Sequence, residues 1–260
     1  MNTVLKKIGY GCLHILTLGR GITKKINGVA VKFPTLYFRY FPADYEKENF
    51  LLVQEHVKKD DVIIDIGAHI GLMAVVFGKQ VGKNGRVYSF EPTPVSFEIL
   101  QRTIRLNHLS GIVVPVNKAV SSVSGTAIFN VNNEDVSNSI VSYEYNKTHG
   151  QVTVPTISID DFVKEKKIQR LNFIKIDAEG VELDVLRGAG QTLSDFECKM
   201  ILALHPAAIA AKGDSLGAIY DLVAGAGYLL YWKNEKIGRQ LFCEQTDMFD
   251  VYLEKVKDQH

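Results

Sequence analysis

The chain has 260 residues, of which 46% are apolar and 23% charged, and a formal net charge of +1. These are globular values at a length that buries a sizeable core. A near-neutral total gives no long-range field to recruit nucleic acid, and no nucleic-acid partner is expected. Cys12, Cys198 and Cys243 lie far apart and lack metal spacing, which points to a reducing, cytoplasmic setting.

Near the N-terminus Leu5, Ile8, Cys12, Ile15 and Leu16 recur at helical spacing beside Lys6 and Lys7. No stretch reaches the ~20 apolar residues that cross a bilayer, and His14 and Arg20 argue against a cleavable leader. Residues 3–18 read as a helix packed on the domain, with peripheral membrane contact as the alternative. The Asn27-Gly28 pair inside "INGVAVKFP" signals a hairpin. Helix and hairpin make an N-terminal cap over 1–44, ahead of a main domain over 45–260. "YFRYFP" reads as a further strand and 45–58 as a helix.

From residue 62 strands and helices alternate: strand 62–66, helix 71–80, strand "GRVYSF", helix 94–107, strand "IVVPVNKAV". Residues 125–159 break the pattern. They alternate, are rich in Asn and Ser, and predict an inserted antiparallel ribbon; Asn132, Asn133, Ser137, Asn138 and Ser139 there suit a sugar-like acceptor. Ser158 and Asp161 stand at capping-box spacing before the next helix. "LNFIKID" is a fourth buried strand, 179–187 a short helix stopped by Gly188, and "KMILALHP" a fifth strand. A helix near 214–224 and the strands "GYLLYW" and "MFDVYLEK" close the chain. This alternation predicts an α/β fold with an open, mostly parallel sheet covered on both faces.

In such sheets ligands sit beyond the carboxyl ends of the strands, first of all at the first strand–helix turn. Here the turn is "DIGAHIG". Gly67 and Gly71 permit a tight bend, and the helix after Gly71 offers free N–H groups. A dinucleotide fingerprint needs bare backbone where this chain has His69, and a third glycine where it has Leu72. A nicotinamide oxidoreductase is therefore the weaker alternative. Asp65 at the strand end suits an ammonium group, and Glu91, twenty residues past Gly71, suits a ribose. The combination favours S-adenosylmethionine.

The stretches "VIIDIGAHIG", "GRVYSFEPTPVSFEILQRTIRLN", "VPTISIDDF" and "IKIDAEGVELDVLRGA" resemble the FkbM family of methyltransferases, over roughly residues 45–206. The resemblance implies a class I, Rossmann-like sheet of seven strands in the order 3-2-1-4-5-7-6, with strand 7 antiparallel. It implies methyl transfer from S-adenosylmethionine to a hydroxyl of a sugar, glycolipid or secondary metabolite. Carried over, Asp65, Gly67, Ala68, His69 and Gly71 hold the methionine end, Glu91 takes the ribose, Pro92 shapes the following loop, and Asn107 matches a family asparagine. Where the family often has an acid near the adenine this chain has "AVSSVSG", so Val120 and Ser121 are taken as the adenine contacts. Where the family often has Glu, two residues before His205, it has Ala203. That departure keeps alive a cofactor-binding protein without catalysis.

Asp177, at the end of the fourth strand, is read as both cofactor contact and catalytic residue, with Glu179 and His205. Any of the three could take the hydroxyl proton, and His205 has the best matched unperturbed pKa. The plainer account makes Asp177 a helix cap and Glu179 and Glu182 dipole partners. A divalent metal on Asp177, Glu179 and His205 is a rival mechanism. It is not expected, because the Asp-Asn pair that completes such sites elsewhere has no match after the fifth strand.

Overall fold

The computed structural model describes residues 19–131, 138–139 and 150–256. The helix expected at 3–18, and Asn132, Asn133 and Ser137, lie outside the described residues. β1 (Ile22–Ile26) and β2 (Val29–Phe33) pair antiparallel around the two-residue turn Asn27-Gly28. Both turn residues carry positive φ, 46° and 85°, the geometry that matches strand twist and favours Asn-Gly. The expected strand over "YFRYFP" does not form. Residues 35–39 are turns, closed by Tyr37 and Tyr40 amides on the Pro34 and Tyr37 carbonyls. The segment is tied back to the hairpin instead, since Asn27 donates to the carbonyls of Ala43 and Tyr45.

Then come α1 (Lys47–His56), β3 (Val62–Ile66), α2 (Leu72–Val81), β4 (Arg86–Phe90), α3 (Pro94–Leu106), β5 (Val113–Val116) and β6 (Ala119–Val120). The ribbon contains β7 (Gly125–Val131), β8 (Asn138–Ser139) and β9 (Gly150–Ile157). β7 and β9 pair antiparallel, and β6 runs parallel to β9 in the same separate sheet. The chain continues through α4 (Ile159–Lys166), β10 (Phe173–Asp177), α5 (Glu182–Arg187), α6 (Gly190–Asp195), β11 (Lys199–Leu204), α7 (Pro206–Ala211), α8 (Leu216–Gly225), β12 (Tyr228–Trp232), β13 (Glu235–Lys236), α9 (Arg239–Cys243) and β14 (Phe249–Lys255). The Ser158 hydroxyl caps α4 by accepting from the Asp161 amide at 3.0 Å, worth about 1 kcal/mol.

The main sheet runs β13-β12-β14-β11-β10-β3-β4-β5. β5, β4, β3, β10 and β11 are parallel, and β14 is antiparallel to both neighbours. The two-residue β13 extends the edge beyond β12. Alternate residues of the central strands feed opposite cores, as period-two side chains require. Ile64, Ile174, Ile176 and Leu202 pack with α4, α5 and α8, while Ile63, Phe173 and Ile201 pack with α1, α2 and α3. Ile26, Val31 and Phe33 of the hairpin join that second core. Each large side chain so buried contributes about 1.5–3 kcal/mol. No helix among the described residues is long and apolar enough to cross a membrane.

Asn107 fixes the hairpin's position. Its amide donates to the Lys32 carbonyl at 2.8 Å, and its side-chain oxygen accepts from the Lys32 amide at 3.0 Å. One side chain at the end of α3 thereby satisfies an otherwise open backbone position of β2.

Candidate active site

The parallel strands β4, β3 and β10 end together under a cavity of about 180 Å³. Its floor is the loop 67–71. Gly67 has φ +78°, and a Cβ there would stand 1.9 Å from the Asp177 carbonyl oxygen. Only glycine allows this approach, and the approach sets the cofactor-type loop against the end of β10. Gly71, at φ +93°, opens α2 beside Leu100 and Thr103 of α3.

Glu91 lines the cavity and is 6% exposed. It accepts from the Thr93 amide and hydroxyl on one oxygen and from the His69 amide on the other, at 3.0 Å. Burial pushes its carboxyl pKa up, against the pull of those three donors. A carboxylate has about four acceptor sites, so it still has capacity for a ligand hydroxyl. Ala68, His69, Pro92 and Val120 also line the cavity, and the His69 ring packs 5.1 Å from the Tyr40 ring centroid. Two residues expected at the site are not on the cavity wall. Ser121 is absent from it, and its amide donates to the Ile157 carbonyl beside the β6–β9 pairing. Asp65 is fully buried beneath the loop and absent from the cavity wall. It accepts from Ser89 at 3.0 Å, and burial lifts its pKa to about 6 despite Lys175.

Asp177 and Glu179 line the other side of the cavity. Asp177 does not cap the following helix: residues 178–181 intervene, and α5 begins at Glu182 with Val181 as N-cap and no side-chain cap. The intervening turn puts Glu179 at φ +51°, a strained setting for a non-glycine residue. It brings the Glu179 carboxylate back toward His205. Lys175, 2% exposed, donates to Asp177 Oδ2 at 2.8 Å. Burial lowers the Lys175 pKa, but Asp177, Glu46 and Asp65 outweigh it and leave it above the ordinary value. Burial raises Asp177, but Lys175 and His205 outweigh that and hold it below the usual carboxylate range. Burial raises Glu179.

His205, 3% exposed, stands behind these two acids at the end of β11. Its Nδ1 is 2.7 Å from Glu182 Oε1; its Nε2 is 3.7 Å from Asp177 Oδ1 and 3.8 Å from Glu179 Oε2. Burial alone would lower its pKa, but the Glu182 bond and the three carboxylates raise it to about 9. These neighbours make His205 hold its proton more tightly than a free imidazole, and its expected advantage as a base is lost to them.

Several contributors carry no sequence signal of their own. Glu182, fully buried, holds His205 and accepts from the Gly180 amide. Tyr40, Phe41, Tyr45 and Glu46 reach the cavity from the segment before α1, Lys118 from the bend between β5 and β6, and Ala119 from β6 itself. At the Ala203 position the register places Asp250 of β14 directly opposite. The neighbouring strand thus carries a carboxylate beside the position where the family pattern often has Glu.

A family model described as the methyltransferase FkbM domain matches residues 65–230, well over half of the chain. The chain belongs to the FkbM methyltransferase family. The hexuronic acid methyltransferase AglP of Haloferax volcanii is 32% identical to this FkbM protein over 165 residues, 62% of each chain. The 2-O-methyltransferase NoeI of Sinorhizobium fredii is 26% identical over 152 residues, covering 53% of this chain and 60% of that one. The chain thus spans about three fifths of the length of the curated relatives it matches. A crystal structure of a protein assigned as an rRNA-methylase from Clostridium thermocellum superposes with a TM-score of 0.52 at 10% identity, over 81% of this chain and 95% of that one. That likeness is one of fold.

Proposed function

We propose that this FkbM protein transfers the methyl group of S-adenosylmethionine to a hydroxyl oxygen of a sugar or sugar-bearing small molecule. The observation that carries the reading is the single cavity joining the glycine loop and Glu91 on one side to Asp177 and Glu179 on the other. Glu91 suits a ribose, the loop suits an amino-acid tail, and Val120 and Ala119 offer an apolar wall for the adenine. Imidazole at His69 occupies the backbone position that a pyrophosphate would need, which disfavours a nicotinamide dinucleotide. Relatives named for hexuronic acid and 2-O-methyl transfer support a carbohydrate hydroxyl as the acceptor.

The chemistry is an in-line displacement. The acceptor oxygen bonds to the methyl carbon, the carbon–sulfur bond breaks, and the sulfur keeps the electron pair as a neutral thioether. The hydroxyl proton passes to a carboxylate at the cavity wall. Glu179 is the best placed, because it lines the cavity and burial raises its proton affinity above that of a free carboxylate. Most of the rate enhancement comes from holding oxygen, carbon and sulfur in line.

Thermal unfolding with added S-adenosylhomocysteine tests the pocket. Ligand at 100 times its Kd should add about 2.7 kcal/mol of stability, and NAD should add none. Stabilisation by NAD alone would overturn the reading. Methyl transfer to a panel of glycosides then separates an enzyme from a protein that only binds the cofactor.

A further inference from the structure

We propose that Asp177, Glu179 and His205 form a binding site for one divalent cation of the manganese or zinc class at the edge of the cavity. Its use in catalysis rests on the methyl-transfer reading above; its existence as a binding site does not.

One donor atom from each residue lies within 4.8 Å of the others. The separations from His205 Nε2, 3.7 Å to Asp177 Oδ1 and 3.8 Å to Glu179 Oε2, are too long for hydrogen bonds. They are close to what a shared ion needs, since donors bonded at about 2.1 Å to a tetrahedral cation stand about 3.4 Å apart. His205, 3% exposed, makes its hydrogen bond through Nδ1, which leaves Nε2 facing the two carboxylates.

The surroundings fix each donor. The buried Glu182 carboxylate holds His205 Nδ1 at 2.7 Å and is itself anchored by the Gly180 amide. Metal-bound histidines normally donate their second nitrogen to such a carboxylate, which sets the tautomer and leaves the other nitrogen for the ion. Lys175 occupies Asp177 Oδ2, so Oδ1 is the oxygen left on the His205 side. The left-handed turn at Glu179 returns its carboxylate to the same point. Three carboxylates, Asp177, Glu179 and Glu182, thus converge on one imidazole. An imidazole with two carboxylates suits manganese or zinc better than calcium or magnesium, which favour all-oxygen shells. Three protein donors leave positions open to an acceptor oxygen, whose proton a bound cation would make easier to remove.

The test uses the full chain, stripped with chelator and titrated with Mn²⁺ alone, without cofactor, while free Mn²⁺ is followed by electron paramagnetic resonance. One equivalent should be bound, with nitrogen modulation from an imidazole ligand in the pulsed spectrum. Glu182→Gln, which keeps an acceptor for His205, should weaken binding by about 10–100-fold, and His205→Ala by at least as much. No uptake, or Mn²⁺ bound without nitrogen coupling, would overturn the proposal even if no variant folds. Equal affinity in a folded His205→Ala protein would do the same. S-adenosylhomocysteine binding by the stripped protein would then show that the methyl-transfer reading survives the loss of the metal site.

Discussion

Gly67 is the residue with the least freedom to change. Alanine there would keep a left-handed φ and drive its Cβ into the Asp177 carbonyl. Strain of this type costs about 1–3 kcal/mol, and relief by moving β3 from β10 would open the cavity floor. Gly67→Ala should lower urea stability by at least that amount and weaken S-adenosylhomocysteine binding; calorimetry showing native affinity would exclude the loop as a cofactor cradle. Glu91 makes a second residue-scale prediction. Removing a charged acceptor from a ligand hydroxyl costs about 1.5–3 kcal/mol, so Glu91→Gln should weaken that affinity roughly tenfold to a hundredfold. The bend at Gly67 and the place of Glu91 on the cavity wall were legible because their geometry is local: a turn after a buried strand, then an acid at the next strand's end. Glu182 was not. In sequence it is an acid at the start of a helix, and only the tertiary fold, which sets the start of α5 beside the residue after β11, makes it the partner of His205. His205 shows the converse, since its residue type suggested a base near pH 6.5 and three neighbouring carboxylates move it to about 9.

Elements with strong local grammar were readable: the Asn27-Gly28 hairpin, the Ser158 cap, and the strand–helix units from β3 onward. Errors fell where tertiary contacts decide. "YFRYFP" has strand-like composition, yet no neighbouring strand offers it a ladder, and it folds into turns over the cavity mouth. Ser121 follows β6, which lies in the ribbon sheet although β5 just before it lies in the main one, a switch that period-two patterning does not encode. Asn107 shows how the hairpin and α3 hold each other. Asn107→Ala removes the side-chain bonds to Lys32 and Thr103. Its cost should be about 1–3 kcal/mol, and faster amide exchange should be confined first to β1 and β2. Uniform exchange across the main sheet would refute that local assignment.

Across the whole molecule, two neighbouring rungs of the sheet carry buried polar groups into the apolar face under α1. Ser89, Asp65 and Lys175 are in register on β4, β3 and β10, and Asp177, Ala203 and Asp250 on β10, β11 and β14. Asn49 of α1 bridges Asp250 and Glu46. Burial lifts Asp65 and Asp250 to about 6, with Lys175 opposing. A carboxyl whose pKa rises on folding binds its proton more tightly in the folded state. Its stabilising contribution is full below the unfolded value, near 4, and is lost as pH rises through about 6. The stabilisation from these two acids should therefore fall between about pH 4 and pH 6.5, by up to about 3 kcal/mol for each. Asp250→Asn keeps an acceptor for Asn49 and should flatten part of that slope in urea melts; an unchanged slope would remove Asp250 from the effect.

The backbone contact between Gly67 and Asp177 has a corollary for inheritance. Segments 67–71 and 177–182, more than a hundred positions apart in the chain, touch without a side chain's thickness between them. A chimera that takes one segment from a distant homologue and keeps the other should fail, whereas exchanging both as a block should succeed. Donor and acceptor preferences in this lineage would then change hands together.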